Sequence, residues 1–273
     1  MRDALRMAGK QWKYQFRNAD IWIVFLAVCA IMYSVLRNIT NAVNVGSVGI
    51  WAVYPVCLTD RWIGIYLFAG VLILVADLPA SYRGMEYEIS RMKKASWYFG
   101  QMLYGLYMIS TYFLFVFLFE VLCFGSKIEL STEWGGAIYD GSIFSGGTLS
   151  VKLNTILADY HAATGAMAES FLLSLLVGYL FAMICLVCNM FFSRGRIGVL
   201  LCSMLIAESM IAYAFFDQDL KYWSPLGLLT SYYHGTRVPV SYAVMFLFLC
   251  NAVLGVIGGW HLRKMDFQFR GGM

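Results

Sequence analysis

Apolar runs long enough to cross a bilayer, set apart by short charged segments, constrain this chain more than any other feature. Residues 21–37, 61–78, 97–124, 168–192, 197–216 and 241–260 form six such runs, each near the roughly 20 residues that a helix rising ~1.5 Å per residue needs to cover ~30 Å of hydrocarbon. At 60% hydrophobic and 13% charged residues, the chain also carries more apolar surface than a water-facing core absorbs. The expected fold class is an all-α integral membrane protein with six transmembrane helices, residues 21–273 making a single transmembrane domain.

Between and before these runs the patterns differ. Residues 1–20 place Leu5, Ala8, Trp12 and Phe16 at helical spacing beside Arg2, Arg6, Lys10, Lys13 and Arg17, which predicts an amphipathic helix lying on the membrane surface. The apolar stretch from Val48 to Leu58, broken by Pro55, is too short to cross and reads as interfacial or re-entrant. Pro79 opens a polar segment to about Ser96 that suits a short helix. Residues 125–167 form one long polar insertion with several glycines, expected as an extracellular loop.

Sidedness follows from the cations, which gather in short cytoplasmic loops. Five lie in the amino-terminal segment, four in residues 79–96, two in the turn at 193–196 and three in the tail, fourteen of the 20 Lys and Arg in all. The remaining six are spread over much longer loops. Both termini are therefore expected in the cytoplasm. The net charge of +4 says little apart from this placement, and no nucleic-acid partner is expected.

Catalytic chemistry finds little footing here. The three histidines occur without metal-ligand spacing, and no G-x-x-x-x-G-K-[ST] nucleotide loop is present. Cys185 and Cys188 spell C-x-x-C, but within an apolar run and without nearby His or acid they read as small packing residues. No catalytic, cofactor-binding or metal-ligating residue is assigned, and the chain is not expected to be an enzyme. Two acids stand inside apolar runs: Glu120 near the outer end of the third and Glu208 in the fifth. Ionisable groups at such depths tend to face the bundle interior or a transport pathway.

Three motifs carry a resemblance. Asp77-Leu78-Pro79 leaves the second run; a basic cluster and the entry Trp97-Tyr98-Phe99-Gly100-Gln101 begin the third; Tyr222-Trp223-Ser224-Pro225 follows the fifth. Together with six spans and an amphipathic amino-terminal helix, they resemble the permease subunits of bacterial ABC-2 type transporters. The resemblance implies a type V exporter-like fold in the bacterial cytoplasmic membrane. It also implies a cytoplasmic coupling helix between the second and third spans, docking on a separate ABC ATPase that holds the ATP and Mg. Tyr82, Arg83, Met85, Glu86, Tyr87, Ile89 and Arg91 would make that contact, with Glu120 and Glu208 as pathway candidates. A second permease, identical or related, would complete a dimer in the lipid bilayer, exporting an amphiphilic or hydrophobic substrate such as a peptide, antibiotic or lipid-linked molecule. The competing reading is a non-enzymatic membrane immunity or scaffold protein that binds a peptide through residues 125–167.

Overall fold

The computed structural model describes residues 2–43, 46–58, 60–80, 92–139, 162–192, 197–215, 224–231 and 239–264. In order these form α1 (Arg2–Gln15), α2 (Ala19–Ala42), β1 (Val48–Gly49), a 3-10 turn at Ile50–Ala52, α3 (Val53–Leu58), α4 (Arg61–Val75), α5 (Lys94–Phe124), a 3-10 turn at Gly125–Lys127, β2 (Ile128–Glu129), α6 (Gly136–Tyr139), α7 (Ala163–Phe191), α8 (Ile197–Phe215), α9 (Pro225–Ser231) and α10 (Val240–Lys264). The long helices outrun the apolar segments at both ends because caps rather than hydropathy stop them: Asn18 caps α2, and α2 runs past Arg37 to Ala42.

Helix α5 is the post around which the others are arranged. Phe25 of α2 stacks on Phe115 at 4.9 Å and lies 5.7 Å from Tyr112, while Lys127 Nζ, beyond the far end of α5, donates to the Thr40 carbonyl. The two helices therefore run in the same direction. Helix α7 runs against α5, with Gly105 facing Ala182 and Gly178 facing Ile109 and Phe113. Helix α8 reverses again along α7: a Cβ on Gly198 would lie 2.7 Å from the Cys185 Cα, a closeness that only glycine permits. Helix α10 runs with α7, from Asn251, whose Nδ2 donates to the Leu176 carbonyl at 3.1 Å, to His261, stacked on Phe191 at 3.8 Å.

The stretch from Val48 to Ala80 departs from expectation. Rather than an interfacial loop, most of residues 48–58 is buried in the bundle, with Val48, Ala52, Tyr54, Val56, Cys57 and Leu58 all at 0% exposure and Trp51 alone exposed among them. They form the first half of a broken transit: the Ile50–Leu58 segment meets α4 at 88°. β1 pairs in parallel with β2, just past the carboxy end of α5, whereas Ala80 is held by Gln101 near the amino end of α5. At 31 residues, α5 measures roughly 46 Å, so the broken segment runs from one end of the bundle to the other and does not re-enter on the side it left. Length alone hides this in the sequence, because residues 61–78 read as a complete crossing by themselves and leave the stretch before Asp60 looking like a separate, shorter piece. Pro55 falls in the first turn of α3, where a missing N–H costs nothing.

Four helices (α2, α5, α7 and α10) are long and apolar enough to span a bilayer, and the bent pair makes five. The expected span at 197–216 is α8, whose apolar stretch Ile197–Ser209 is shorter than a crossing requires. The exterior is apolar, with Ile23, Leu26, Leu114, Leu118, Leu122, Met245, Phe248 and Val256 exposed, while Gln11, Gln101, Glu120, Ser170, Ser174 and Asn251 are buried. This inversion is what lipid as solvent selects.

Helix α1 packs chiefly on α5, and of the row its sequence pattern suggests, Ala8 is buried and Trp12 and Phe16 pack on the core. Leu5 is exposed, and the buried row is Ala4, Met7, Ala8 and Gln11. The reason lies on α5, where the bare Gly100 leaves a seat: a Cβ there would lie 2.6 Å from Met7 Cε and 3.3 Å from the Ala4 carbonyl. Trp12 still contributes, its Nε1 donating to Thr111 Oγ1 at 3.1 Å. At the opposite end, residues 125–139 fold over the start of the broken transit. Gly49 N donates to the Trp134 carbonyl at 3.0 Å, Ala137 N to the Ser47 carbonyl at 3.1 Å, and Ser47 Oγ to Glu129 Oε2 at 2.5 Å. The first third of the expected outer loop is thus an ordered cap.

Candidate functional site

The carbonyls at and just beyond the end of a helix have no partner within it, and those that follow α4 lie against protein, with Leu78 and Ala80 buried. Three carboxamides from three other helices serve the carbonyls of the C-cap residue Ala76 and of Leu78 and Ala80 beyond it. Asn189 Nδ2 of α7 donates to the Ala76 carbonyl at 3.0 Å and to the Leu78 carbonyl at 2.6 Å. Gln11 Nε2 of α1 and Gln101 Nε2 of α5 both donate to the Ala80 carbonyl, at 2.5 and 3.1 Å. Gln11 Nε2 also approaches Gln101 Oε1 at 3.4 Å. The exit of the second transit is therefore clamped to α1, α5 and α7 at once. This clamp sits at the end of the bundle that carries Lys93 and Lys94, Arg263 and Lys264, and Arg2 on α1.

The motifs that sequence reading singled out have physical roles in this clamp and nearby. In Trp97-x-x-Gly100-Gln101, Gly100 seats α1 and Gln101 holds Ala80, while Trp97 is buried. Residues 76–80, containing Asp77-Leu78-Pro79, supply the clamped carbonyls. Ser224-Pro225 starts α9, the Ser224 hydroxyl accepting from Gly227 N at 3.4 Å and Ser224 O from Leu228 N at 2.9 Å, with proline in the first helical position that suits it. Gln11 and Asn189 were not identified from sequence. The available signal was a carboxamide on a face otherwise buried, and for Asn189 a lone amide inside an apolar run.

A second polar locus lies at the break itself. Asp60 is 2% exposed and caps α4, its Oδ1 accepting from Trp62 N at 2.8 Å and Ile63 N at 3.2 Å. Glu120 is fully buried, and among the described residues neither carboxyl oxygen has a hydrogen-bond partner. Cys57, the penultimate residue of α3, lies within electrostatic reach of both Glu120 and Asp60. The expectation that Glu120 faces the bundle interior holds, and the helix it faces is the broken one.

Glu208 is half-buried on α8, which packs on α7, α4 and α9. The structure does not draw it into the Glu120 locus. Tyr82, Arg83, Met85, Glu86, Tyr87, Ile89 and Arg91, the coupling candidates, lie outside the described residues, as does most of the insertion beyond Tyr139. Among the described residues no cluster of three His, Cys, Asp or Glu could hold a metal ion. Cys185 meets not Cys188 but Cys202 of α8, sulfur to sulfur at 3.9 Å, and Cys202 Sγ lies 3.7 Å from the Phe181 carbonyl. These thiols act as packing groups of the α7–α8 contact.

Comparison with known proteins finds no matching family, no matching curated sequence and no matching solved structure. The architecture stands on its own observations: long apolar helices, a polar interior and an apolar exterior are those of a helical membrane protein.

Proposed function

We propose that the chain is the membrane-spanning subunit of an ATP-driven exporter, six-spanned with α8 as the fifth span, and that residues 82–91 receive the stroke of a separate ATPase. The observation that carries this reading is the clamp. A segment that must pass force into a bundle needs a stiff attachment where it joins, and the residues just before 82 are tied by four hydrogen bonds to α1, α5 and α7. On its other side the segment leads within three residues to the start of α5, the helix against which α1, α2, α4 and α7 pack. A push on residues 82–91 is thereby delivered to most of the bundle instead of being lost in a slack loop.

The charge bias assigns this end to the cytoplasm, where the ATPase and its ATP and Mg would be found. A second permease would complete the path, and an amphiphilic or hydrophobic cargo suits a protein whose interior holds few charges. Glu120, beside the break in the second transit, is the pathway candidate favoured over Glu208, since broken helices and buried acids recur together where transporters handle their substrates.

The test is a pull-down of the tagged chain from native membranes. A co-purifying ATPase is expected, and the double variant Tyr87→Glu/Ile89→Glu should release it while leaving the bundle folded. Undiminished ATPase binding by that variant, or labelling of single cysteines at residues 82–91 from outside intact cells, would refute the reading.

A further inference from the structure

We propose that the groove between the first turns of α5 and the last turns of α10 is a binding site for an anionic phospholipid. The inference is independent of the export reading. The groove encloses about 770 Å³, within the ~300–1,000 Å³ of small-molecule sites. Lys94, Phe99 and Met102 line one wall; Gly259, Trp260 and Arg263 line the other.

The groove exists because α10 lacks side chains where it passes α5. Tyr98 ties the two helices at the back, its hydroxyl donating to the Gly255 carbonyl at 3.1 Å, and its ring fills the space that a side chain on Gly258 would need. One residue on, a Cβ at Gly259 would find its nearest neighbour, Tyr98 Cε1, at 3.9 Å. The space in front of Gly259 is open, and its rim is apolar and exposed: Trp260 at 57%, Phe99 at 45% and Val256 at 71%.

Charge is confined to one end of this space. Lys94 and Arg263 face each other across it, and Lys264 lies 4.1 Å over the Trp260 ring. The amino terminus of α5 adds its own partial positive charge there, and its N-cap residue, Lys93, makes no side-chain capping bond. From the basic end, exposed Val256, Val253, Leu249 and Met245 continue along α10 as an apolar track. A cationic pocket leading into an exposed apolar track matches a phosphate headgroup attached to an acyl chain. Free phosphate would leave the apolar half unused, and a zwitterionic lipid would bring a cation of its own to the basic end, with no net negative charge.

Native mass spectrometry of the full chain, titrated with phosphatidylglycerol and with phosphatidylcholine of the same acyl chains, tests this. The unaltered chain should retain phosphatidylglycerol preferentially. In Lys94→Gln/Arg263→Gln that preference should fall roughly 30-fold, the combined weight of two interfacial cations, with an unchanged helical circular dichroism spectrum. Gly259→Leu should block the bound lipid while leaving every charge in place, and glycerol phosphate, a headgroup without chains, should not compete. The proposal is overturned if the double variant keeps its lipid preference, if glycerol phosphate displaces the lipid, or if cysteine labelling at Val256 is blocked by self-association of the chain instead of by lipid.

Discussion

Replacing Asn189 with leucine isolates the clamp better than any other single change. Leucine keeps the approximate volume but removes the donor that serves the Ala76 and Leu78 carbonyls, at 3.0 and 2.6 Å. Each bond contributes about 0.5–1.5 kcal/mol net, and a buried carbonyl stripped of its donor costs about 1–3 kcal/mol. Two effects lower the sum. Asn189 is only half-buried, so headgroups and water reach part of the gap, and its own Oδ1 has no partner, an orphan that leucine removes. Interhelical hydrogen bonds in membranes average nearer 0.6 kcal/mol. The expected loss is therefore about 2 kcal/mol, roughly 30-fold in the unfolding equilibrium. Reversible unfolding by SDS in mixed micelles, followed by tryptophan fluorescence, measures it. Asn189→Asp should be worse than leucine, since it turns an acceptor toward two acceptors. A leucine variant within about 0.5 kcal/mol of the parent, or an aspartate variant milder than leucine, would show that the carboxamide does not hold the exit of α4.

Two further outcomes follow from buried geometry. Glu120→Leu should raise stability in the same assay by about 1–3 kcal/mol, since it removes two buried oxygens that have no partner among the described residues, and on the export reading proposed above it should abolish transport; a destabilised variant that keeps full function would remove Glu120 from both roles. Gly198→Ala should cost about 1–3 kcal/mol, because the new methyl would meet the Cys185 Cα at 2.7 Å and helix backbone cannot give way as a flexible side chain can; an unaffected melting temperature would mean that α7 and α8 are not in this contact.

Much of the bundle is legible from apolar runs because the bilayer imposes one length on all crossings. The runs at 97–124, 168–192 and 241–260 correspond to α5, α7 and α10, with ends displaced by a few residues where caps decide. The second transit is not legible in that way. Its upper half is six residues of α3 behind a 3-10 turn, and the right-angle bend that joins it to α4 at the Asp60 cap is not something hydropathy reports. The face of α1 is legible in part: the apolar stripe gives Ala8, Trp12 and Phe16, but the burial of Ala4 and Met7 in place of Leu5 follows from the seat cut on α5 by the absence of a side chain at Gly100, a feature of the partner and not of α1. The clamp lay beyond reach because a carboxamide's role depends on which carbonyls three separate helices bring to it. Only Gln101 was quoted beforehand, as part of a motif without a role.

A helix that begins inside a protein brings the positive pole of its peptide dipoles with it. Because the second transit turns through a right angle at Asp60, the 15 peptides of α4 point that pole into the interior, where solvent cannot dissipate it. The side chain of Asp60 closes two of the amides there, and Glu120 lies nearby. The elbow is consequently a fixed electrostatic feature of the core, in which a buried carboxylate answers the positive end of a helix that starts within the bundle.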